Sequence, residues 1–410
     1  MKNKIKVLKK LKITKNSKMK INKLSLFTGL IMFGYILGTL YPFAPVVRFK
    51  SMQQPLSADN VITAKSLAKV LEKKDFTLIN VHTPYEGEIE KTDMFVEYDG
   101  IIAVEKSLPQ DKSNLIVVYC KSGNMSETAI KTLKSLGYSN VRHLVGGMDS
   151  WKKEGGLVLD LSKLPETVMP VEGFTLPISW GDLAPRLISL GVIDKEKFEK
   201  AVQMGDEEKQ IFEGSKDISI KINSQNSQFV VDLLWALGLA QKSLVYEQGP
   251  MGKEYKAKAG NFASTGGWTL ARGSAMEHYN MHDIVPLTEE QHKRVMDIAG
   301  NVYRPCCGNH TAFPDCNHGM AALAAIELMV AKGLSDEEIY SNVLKLNVFW
   351  FPQNYLTTAT YFARQGTDWS LVDAKEVLGT VYSSGQGAIQ IAKKVGPLPY
   401  QGQSGGGCGA

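Results

Sequence analysis

The stretch LIVVYCKSGNMSETAI (115–130) constrains the fold more than any other part of the chain. Its first five residues are continuously apolar, which is typical of a strand buried on both faces of a parallel sheet. Cys120 follows directly, then a short turn that contains Gly123, and then a segment with helical spacing. A strand, a tight turn and a helix in this order predict an α/β fold with the cysteine at the carboxyl end of a strand.

The same alternation extends from about residue 59 to residue 157. Helical spacing in 64–74 precedes a strand in 76–83, and a further strand and turn in 140–147 precede a short helix in 148–156. Strands that alternate with helices indicate a parallel sheet with helices on its faces. Residues 59–157 are therefore predicted to form one α/β domain.

The residues after Cys120 are suited to hold an anionic sulfur. The turn leads into a helix predicted over 126–138. Backbone N–H groups in such a turn point inward, and a helix N-terminus adds partial positive charge. Both favour a thiolate, so we expect Cys120 to be a reactive cysteine that a substrate reaches, rather than a buried structural one. The candidate anion-binding loop comprises Lys121, Ser122, Gly123, Asn124, Met125 and Ser126.

Three stretches together resemble the rhodanese superfamily. CKSGNMS (120–126) resembles its active-site loop, LINVHTPYEGEIEKTDMFVEYDGI (78–101) resembles an upstream family stretch, and GGMDSWKKEGG (146–156) resembles its closing glycine and tryptophan element. The resemblance covers about 100 of the 410 residues. It implies a rhodanese fold in which Cys120 accepts a sulfane sulfur as a persulfide, and hence a sulfurtransferase.

The loop departs from the family pattern at one position. Met125 stands where many members carry an arginine, so a cation that would steady an anionic donor is missing, and Lys121 is the substitute within the loop. The related cysteine phosphatases need an arginine at the position of Ser126, which disfavours phosphatase activity. A non-catalytic rhodanese module with an idle Cys120 is the alternative interpretation.

The remaining part of the chain has a different pattern. Residues 158–175 are predicted to be an irregular inter-domain linker, and residues 176–397 are mostly helical in pattern, with candidate helices at 227–240 and 320–333. This part resembles an uncharacterised domain sometimes fused behind a rhodanese module, and no activity or site residue is carried over from that resemblance. Residues 398–410 form a glycine-rich tail that is predicted to be flexible.

A second group of chemically active side chains lies within YRPCCGNHTAFPDCNHGMAA (303–322). Three interpretations stay open for it: a zinc or copper site that uses four of the five residues, a redox or sulfur-relay site, and a disulfide-stapled loop with ordinary buried histidines. Cys408 in the tail is either a mobile arm that collects sulfur or metal, or a cysteine without a role. The members of the group are Cys306, Cys307, His310, Cys316 and His318.

The N-terminus predicts a membrane location. Residues 1–23 contain ten lysines and no acid, whereas the whole chain has a net charge of +5, so the rest of the chain is net acidic. Residues 24–47 carry no charge and are long enough to span a bilayer. Since a positive flank stays in the cytoplasm, we expect a single-pass anchor, a short linker at 48–58, and both domains outside the cytoplasm. A cleaved signal peptide is the alternative, and no nucleic-acid partner is expected.

These observations support a leading hypothesis and two alternatives. The leading one is a membrane-anchored, extracytoplasmic sulfurtransferase with a small-molecule or protein sulfur donor and a thiol acceptor, which passes sulfur from Cys120 to the C-terminal cysteines. The second is a protein that binds or traffics a thiophilic metal, with the rhodanese module as a docking part. The third is a non-catalytic scaffold.

Overall fold

The computed structural model describes residues 60–214 and 218–399. The predicted basic tail (1–23), membrane anchor (24–47) and linker (48–58) lie outside these ranges, as does Cys408. Within the described ranges, none of the helices combines the length and the apolar character that a bilayer crossing requires.

A parallel sheet forms the centre of the first part of the described chain. Its five strands are β1 (Val61–Ile62), β2 (Thr77–Asn80), β4 (Met94–Phe95), β5 (Ile116–Tyr119) and β6 (Val141–Leu144), in the order β1–β6–β5–β2–β4. All neighbouring pairs run parallel. Strand β5 is central and every one of its residues is fully buried. The buried parallel strand that the apolar run predicts is therefore confirmed.

Helices cover both faces of this sheet. One face packs against α1 (Ala64–Leu71) and α3 (Gly147–Lys153), and the other packs against α2 (Asn124–Ser135) and a 3-10 helix (Ile101–Ser107). Because side chains alternate along a strand, successive residues of β5 belong to two separate apolar clusters. Cys120 continues this alternation and lies on the face that α2 covers.

The segment predicted as an irregular linker (158–175) has regular structure. Strand β7 (Val158–Leu159) pairs antiparallel with β3 (Glu88–Ile89), and the short helix α4 (Leu164–Val168) follows it. Val168 is fully buried in the core of the helical part. The expectation of an irregular linker was wrong because apolar side chains in this segment find partners on both sides of it.

The second part of the described chain is mainly helical, with a small antiparallel pair formed by β8 (Phe174–Ser179) and β9 (Ser219–Ile222). Helices α8 (Ser227–Ala240) and α12 (Asn317–Ala331) are apolar around most of their circumference and pack against each other at the core. The other α-helices are α5 (Leu183–Ser189), α6 (Lys195–Ala201), α7 (Asp206–Glu213), α9 (Leu244–Gln248), α10 (Pro250–Lys253), α11 (Glu289–Ala299), α13 (Asp336–Trp350), α14 (Pro352–Arg364), α15 (Ala374–Leu378), α16 (Thr380–Ser383) and α17 (Gly385–Val395).

A buried ion pair joins the sheet to the helical part. The Arg364 guanidinium donates to both carboxylate oxygens of Glu88, at 2.7 and 3.1 Å, and to the carbonyl oxygens of Asp93 and Val395. Arg364 is 2% exposed and Glu88 is fully buried. A two-pronged charge pair of this kind requires the two parts to keep one relative position, since separating them would leave a buried charge without its partner.

Candidate active site and a second cysteine cluster

The Cys120 sulfur lies beneath the loop that leads from β5 into α2. The backbone N–H of Gly123 donates to Cys120 Sγ at 3.0 Å. The Ser126 hydroxyl lies 3.7 Å from the same sulfur and donates to the Gly123 carbonyl at 2.8 Å. Helix α2 begins at Asn124, two residues before the predicted start, because Gly123 has a φ of 112° and caps the helix. The loop therefore presents one amide, one hydroxyl and a helix N-terminus to the sulfur.

Gly146 and Gly147, at the start of α3, hold this loop in place. The N–H of Met148 donates to the Cys120 carbonyl at 2.9 Å, and the N–H of Asp149 donates to the Lys121 carbonyl at 3.0 Å. Gly147 has a φ of 53°, and a Cβ at this position would lie 2.1 Å from the Cys120 carbonyl oxygen. Only glycine permits this close approach of α3 to the loop. The closing element of the resemblance thus packs directly on the cysteine loop.

His143 of β6 also belongs to the site, although the sequence alone did not indicate it. Its Nδ1 lies 3.4 Å from the Ser126 hydroxyl oxygen, so Cys120, Ser126 and His143 form a short chain of polar groups. The histidine is 5% exposed, and burial lowers its pKa, against an opposing effect of Glu127. A neutral imidazole is therefore favoured here. The one sequence signal for it is its place on the strand next to β5.

The charged residues at the mouth of the loop pair with each other. Lys121 Nζ lies 2.5 Å from Glu86 Oε2, and Glu86 Oε1 lies 3.5 Å from His82 Nε2. The hydrogen bond from Lys121, followed by that from His82, lowers the pKa of Glu86. Among the described residues, the groups within hydrogen-bonding distance of Cys120 Sγ come from Gly123 and Ser126, so Lys121 does not supply a cation to the sulfur.

Cys120 itself is 1% exposed, which contradicts the expectation that a substrate reaches it directly. Its neighbours on the α2 face are apolar, and the Met125 side chain packs against the same cluster. Ser122 and Asn124 are exposed on the outer side of the loop. The residues of the loop therefore lie between the Cys120 sulfur and solvent.

The second cysteine cluster brings three thiols together. The sulfur atoms of Cys306, Cys307 and Cys316 all lie within 4.8 Å of one another, and Cys306 Sγ is 3.4 Å from Cys316 Sγ. Cys306 is exposed, and the other two are partly exposed. Helix α12 begins at Asn317, three residues before the predicted start at 320, and Cys316 is its N-cap residue.

Arg304 organises this cluster, and the sequence reasoning missed it. Its Nε donates to Cys316 Sγ at 3.0 Å, and its other nitrogens donate to the carbonyl oxygens of Asn309 and Phe313 and to an Asp315 carboxylate oxygen at 2.7 Å. The Arg304 side chain is 1% exposed. A guanidinium fully shielded from water is thus in direct contact with one thiol of the three.

The Arg304 guanidinium can pack against the start of α12 because the first turn of that helix contains a glycine, Gly319. A Cβ at Gly319 would lie 2.4 Å from the central carbon of the Arg304 guanidinium. The glycine in the CNHG sequence is therefore the one available signal for a large group packed against the start of α12. An arginine twelve residues upstream of Cys316 carries no such signal by itself.

The three thiols differ in acidity. Hydrogen bonds from Cys306 and Cys307, together with the charge of Arg304, hold the pKa of Cys316 well below its ordinary value. The hydrogen bonds that Cys306 makes to Cys307 and Cys316, together with burial, raise the pKa of Cys306. A hydrogen bond from Cys306 lowers the pKa of Cys307, but Cys316 and burial outweigh it and raise that pKa to about 11. Cys316 is therefore the thiol of the three that ionises most readily.

The two histidines of the predicted metal set do not join the thiols. In the described residues, the group of possible ligands that lie within 4.8 Å of one another consists of the three cysteines. His318 packs against Phe351, with ring centroids 4.5 Å apart, and burial lowers its pKa to about 4. His310 faces Tyr303 in an isolated bridge. The possible ligand group in the described residues is therefore the three cysteines, and a site that includes a histidine stays a prediction.

Comparisons with known proteins concern the sheet domain. The Rhodanese-like domain family matches residues 63–154. A 101-residue stretch is 32% identical to the sulfurtransferase of Allochromatium vinosum, over 23% of this chain and 91% of that protein. A 105-residue stretch is 33% identical to the adenylyltransferase and sulfurtransferase UBA4 of Candida albicans, over 24% of this chain and 23% of that protein. The chain spans about a quarter of the length of such adenylyltransferase–sulfurtransferase relatives.

One solved structure is also similar to about a quarter of this chain. The rhodanese-related protein of Thermoplasma volcanium is 28% identical, with a TM-score of 0.22, over 24% of this chain and 97% of that one. The matched residues contain β5, the Cys120 loop and the two glycines that fasten it. Through its residues 63–154, this chain belongs to the rhodanese-like family.

Proposed function

We propose that the protein is a sulfurtransferase that carries sulfane sulfur as a persulfide on Cys120. The observation that carries the proposal is the 3.0 Å contact between the Gly123 N–H and Cys120 Sγ, at the carboxyl end of the central strand. A donor amide and a helix N-terminus at this point stabilise an anionic sulfur. The relatives named as sulfurtransferases match this part of the chain.

The proposed reaction has two displacement steps. The Cys120 thiolate attacks the sulfane sulfur of the donor, a sulfur–sulfur bond forms on Cys120, and the rest of the donor leaves with the electron pair of the broken bond (sulfite, where the donor is thiosulfate). An acceptor thiolate then attacks the outer sulfur of the persulfide and releases the Cys120 thiolate. The Gly123 amide, the Ser126 hydroxyl and the N-terminus of α2 stabilise the anion before and after each step.

Burial of Cys120 defines what the donor and acceptor require. With the side chain 1% exposed, the loop residues 121–125 have to move before a donor reaches the sulfur. Met125 gives this cover an apolar inner side, and Lys121 is held by Glu86. A dianionic donor such as thiosulfate therefore meets little compensating charge, and the proposed donor is one that carries less charge at its reactive end.

The wider setting is part of the same proposal. The uncharged segment 24–47 behind ten lysines supports a single-pass anchor with both domains outside the cytoplasm. Cys408 and the cluster at Cys306, Cys307 and Cys316 are proposed as later acceptors of sulfur. A tag placed after residue 50 should be accessible on intact cells, and protection of that tag would contradict the topology.

The test of sulfur transfer is intact mass spectrometry of the full chain after exposure to thiosulfate or to a polysulfide. We expect a gain of one sulfur atom that peptide mapping places on Cys120 and that Cys120→Ser abolishes. Cys306→Ser is the matched control and should retain the gain at Cys120. A gain that survives in Cys120→Ser and maps to the second cluster would overturn the assignment.

A thiophilic metal site is the second candidate function, and three sulfurs within 4.8 Å of one another favour it. Zinc and copper(I) are the ions that bind such a set of thiolates. Arg304 opposes it, because its buried charge lies 3.0 Å from one of the three sulfurs and repels a cation there. Elemental analysis of the full chain after gentle purification tests it: we expect less than one equivalent of either metal, and one equivalent lost in Cys316→Ser would establish the site.

A further inference from the structure

In the second cluster, two thiols lie close enough to form a disulfide bond. Cys306 Sγ and Cys316 Sγ lie 3.4 Å apart, and a disulfide bond is about 2.05 Å long. The gap is small enough for side-chain rotation to close it. Cys306 is exposed and Cys316 is partly exposed, so a molecule in solution can approach both.

The surroundings make the two thiols chemically unequal. The buried Arg304 guanidinium donates to Cys316 Sγ, and Cys316 caps the fifteen-residue helix α12. Positive charge and a helix N-terminus both stabilise a thiolate, which is the form that attacks a disulfide. Cys306 Sγ instead lies against the sulfur of Cys316, at 3.4 Å. Cys316 is therefore the attacking sulfur and Cys306 the resolving one.

Cys307 is held away from this role. Its Sγ lies 3.7 Å from an Asp315 carboxylate oxygen and 3.8 Å from the Asn309 carbonyl oxygen. Both neighbours accept hydrogen bonds, so they favour the protonated thiol. The vicinal pairing of Cys306 with Cys307 is also the strained alternative, and the Cys306 and Cys316 sulfurs lie 3.4 Å apart.

We propose that Cys316 and Cys306 form a thiol–disulfide exchange site whose substrate is the disulfide of a small thiol or of an exposed protein cystine. The proposal is independent of sulfur transfer at Cys120. It selects one pairing among the three sulfurs, and it assigns Arg304 as the residue that positions and stabilises the attacking thiolate.

The exchange proceeds in two balanced steps. The Cys316 thiolate attacks a substrate disulfide, forms a mixed disulfide, and releases one substrate thiolate, which takes the proton of Cys306. The Cys306 thiolate then attacks Cys316 Sγ and releases the second substrate thiolate. The substrate disulfide is reduced to one thiol and one thiolate, which takes a proton from water, and the two cysteines are oxidised to one disulfide.

Oxidised glutathione is the probe for the test. The full chain is reduced, desalted, incubated with oxidised glutathione, alkylated and mapped by mass spectrometry. We expect a disulfide between Cys306 and Cys316 in the unchanged chain and in the matched control Cys307→Ser. Cys306→Ser should accumulate glutathione on Cys316, because the resolving thiol is gone. The rate of reaction of Cys316→Ser with oxidised glutathione should be lower by a factor of about ten or more, since the remaining thiols do not accept a hydrogen bond from the Arg304 guanidinium.

Three results would overturn the proposal. They are a disulfide that includes Cys307, glutathione that accumulates on Cys306 rather than on Cys316, and thiols that stay unreactive because a bound metal ion protects all three. Circular dichroism melts of each variant identify any that fails to fold. If Cys316→Ser fails, the trapped adduct in Cys306→Ser still decides between Cys316 and Cys307.

Discussion

Cys120 and Cys316 each lie at the N-terminal end of a helix, yet different groups contact their sulfur atoms. At Cys120 the contacts are a backbone amide at 3.0 Å and a hydroxyl at 3.7 Å. At Cys316 they are a buried guanidinium at 3.0 Å and a second thiol at 3.4 Å. Cys120 is 1% exposed and is covered by apolar groups, whereas Cys316 is partly exposed and lies beside other sulfurs.

The difference shows two ways to stabilise a sulfur anion. A backbone donor depends on the path of the main chain, so its support comes from glycines such as Gly123 and Gly147. A side-chain donor depends on one residue brought in by tertiary packing, and Arg304 has to be buried to reach Cys316. The first arrangement suits a sulfur that is carried under cover, and the second suits a thiol that exchanges with groups in solution.

Loss of the guanidinium should have the largest effect. Arg304→Leu leaves the Asp315 carboxylate and two carbonyl oxygens without their donor, so we expect a loss of about 3 to 5 kcal/mol in the free energy of unfolding. Denaturant unfolding measures it. Arg294→Leu, which breaks an ion pair with the exposed Asp336, is the control and should cost about 1 kcal/mol or less. Equal losses for the two variants would mean that Arg304 is not a structural centre.

The corresponding change at the first site is Gly147→Ala. The added Cβ would lie 2.1 Å from the Cys120 carbonyl oxygen in a backbone conformation that favours glycine. We expect a loss of about 3 kcal/mol and of the sulfur gain at Cys120, because the loop is pushed off α3. Gly137→Ala is the control, since Gly137 also has a positive φ but its Cβ meets nothing within 4 Å. That variant should cost about 1 kcal/mol and keep the activity.

The pH dependence of the free energy of unfolding should differ between α12, which follows Cys316, and α2, which follows Cys120. Glu327 lies on α12, is fully buried, and burial raises its pKa to about 8. Between its unfolded pKa of 4.5 and pH 8 the unfolded state is ionised and the folded state is neutral. Stability should therefore fall as pH rises through this window, by about 1.4 kcal/mol per pH unit.

Hydrogen exchange of α12 and α2 at several pH values measures this effect. Glu327→Gln should remove most of the slope in α12, whereas the exposed Glu338→Gln, at the start of α13, should leave it in place. A slope that persists in Glu327→Gln would assign the pH dependence to another buried group.

The smallest effect is expected from a cation added to the first site. Met125→Arg places a guanidinium beside a loop in which Lys121 is already paired with Glu86. The turnover of thiosulfate should rise several-fold, because the anionic donor then meets a positive charge. Met125→Leu is the control and should leave turnover unchanged. An unchanged rate in Met125→Arg would show that opening of the loop, rather than charge, limits the reaction.

Much of the first site could be predicted from local sequence. The apolar run of β5, the turn at Gly123 and the helix after it lie within sixteen consecutive residues, and each element forms from its own pattern. The closing glycines were recognised through the family resemblance. His143 was missed, and so was the burial of Cys120, because both depend on how β6 and α2 pack against the strand.

The second site was predictable as a group of residues but not as an arrangement. The spacing of the three cysteines and two histidines indicated a metal set, and local spacing cannot exclude it. Packing against Phe351 keeps His318 away, and Arg304 arrives from outside the Cys316 helix. A contact between a buried side chain and a sulfur leaves almost no trace in sequence spacing.

By itself the sequence determined the parallel α/β domain, the position of Cys120 after its central strand and the presence of a mainly helical second part. These features follow from hydrophobic periodicity and turn residues, which act over a few neighbouring positions. Only the tertiary structure decided which thiols of the second cluster lie in contact and that Arg304 donates to Cys316. It also decided that Arg364 joins the two parts through Glu88. Those contacts join residues that are ten, twelve and 276 positions apart, and they form only once the chain has folded and water is excluded around the charges.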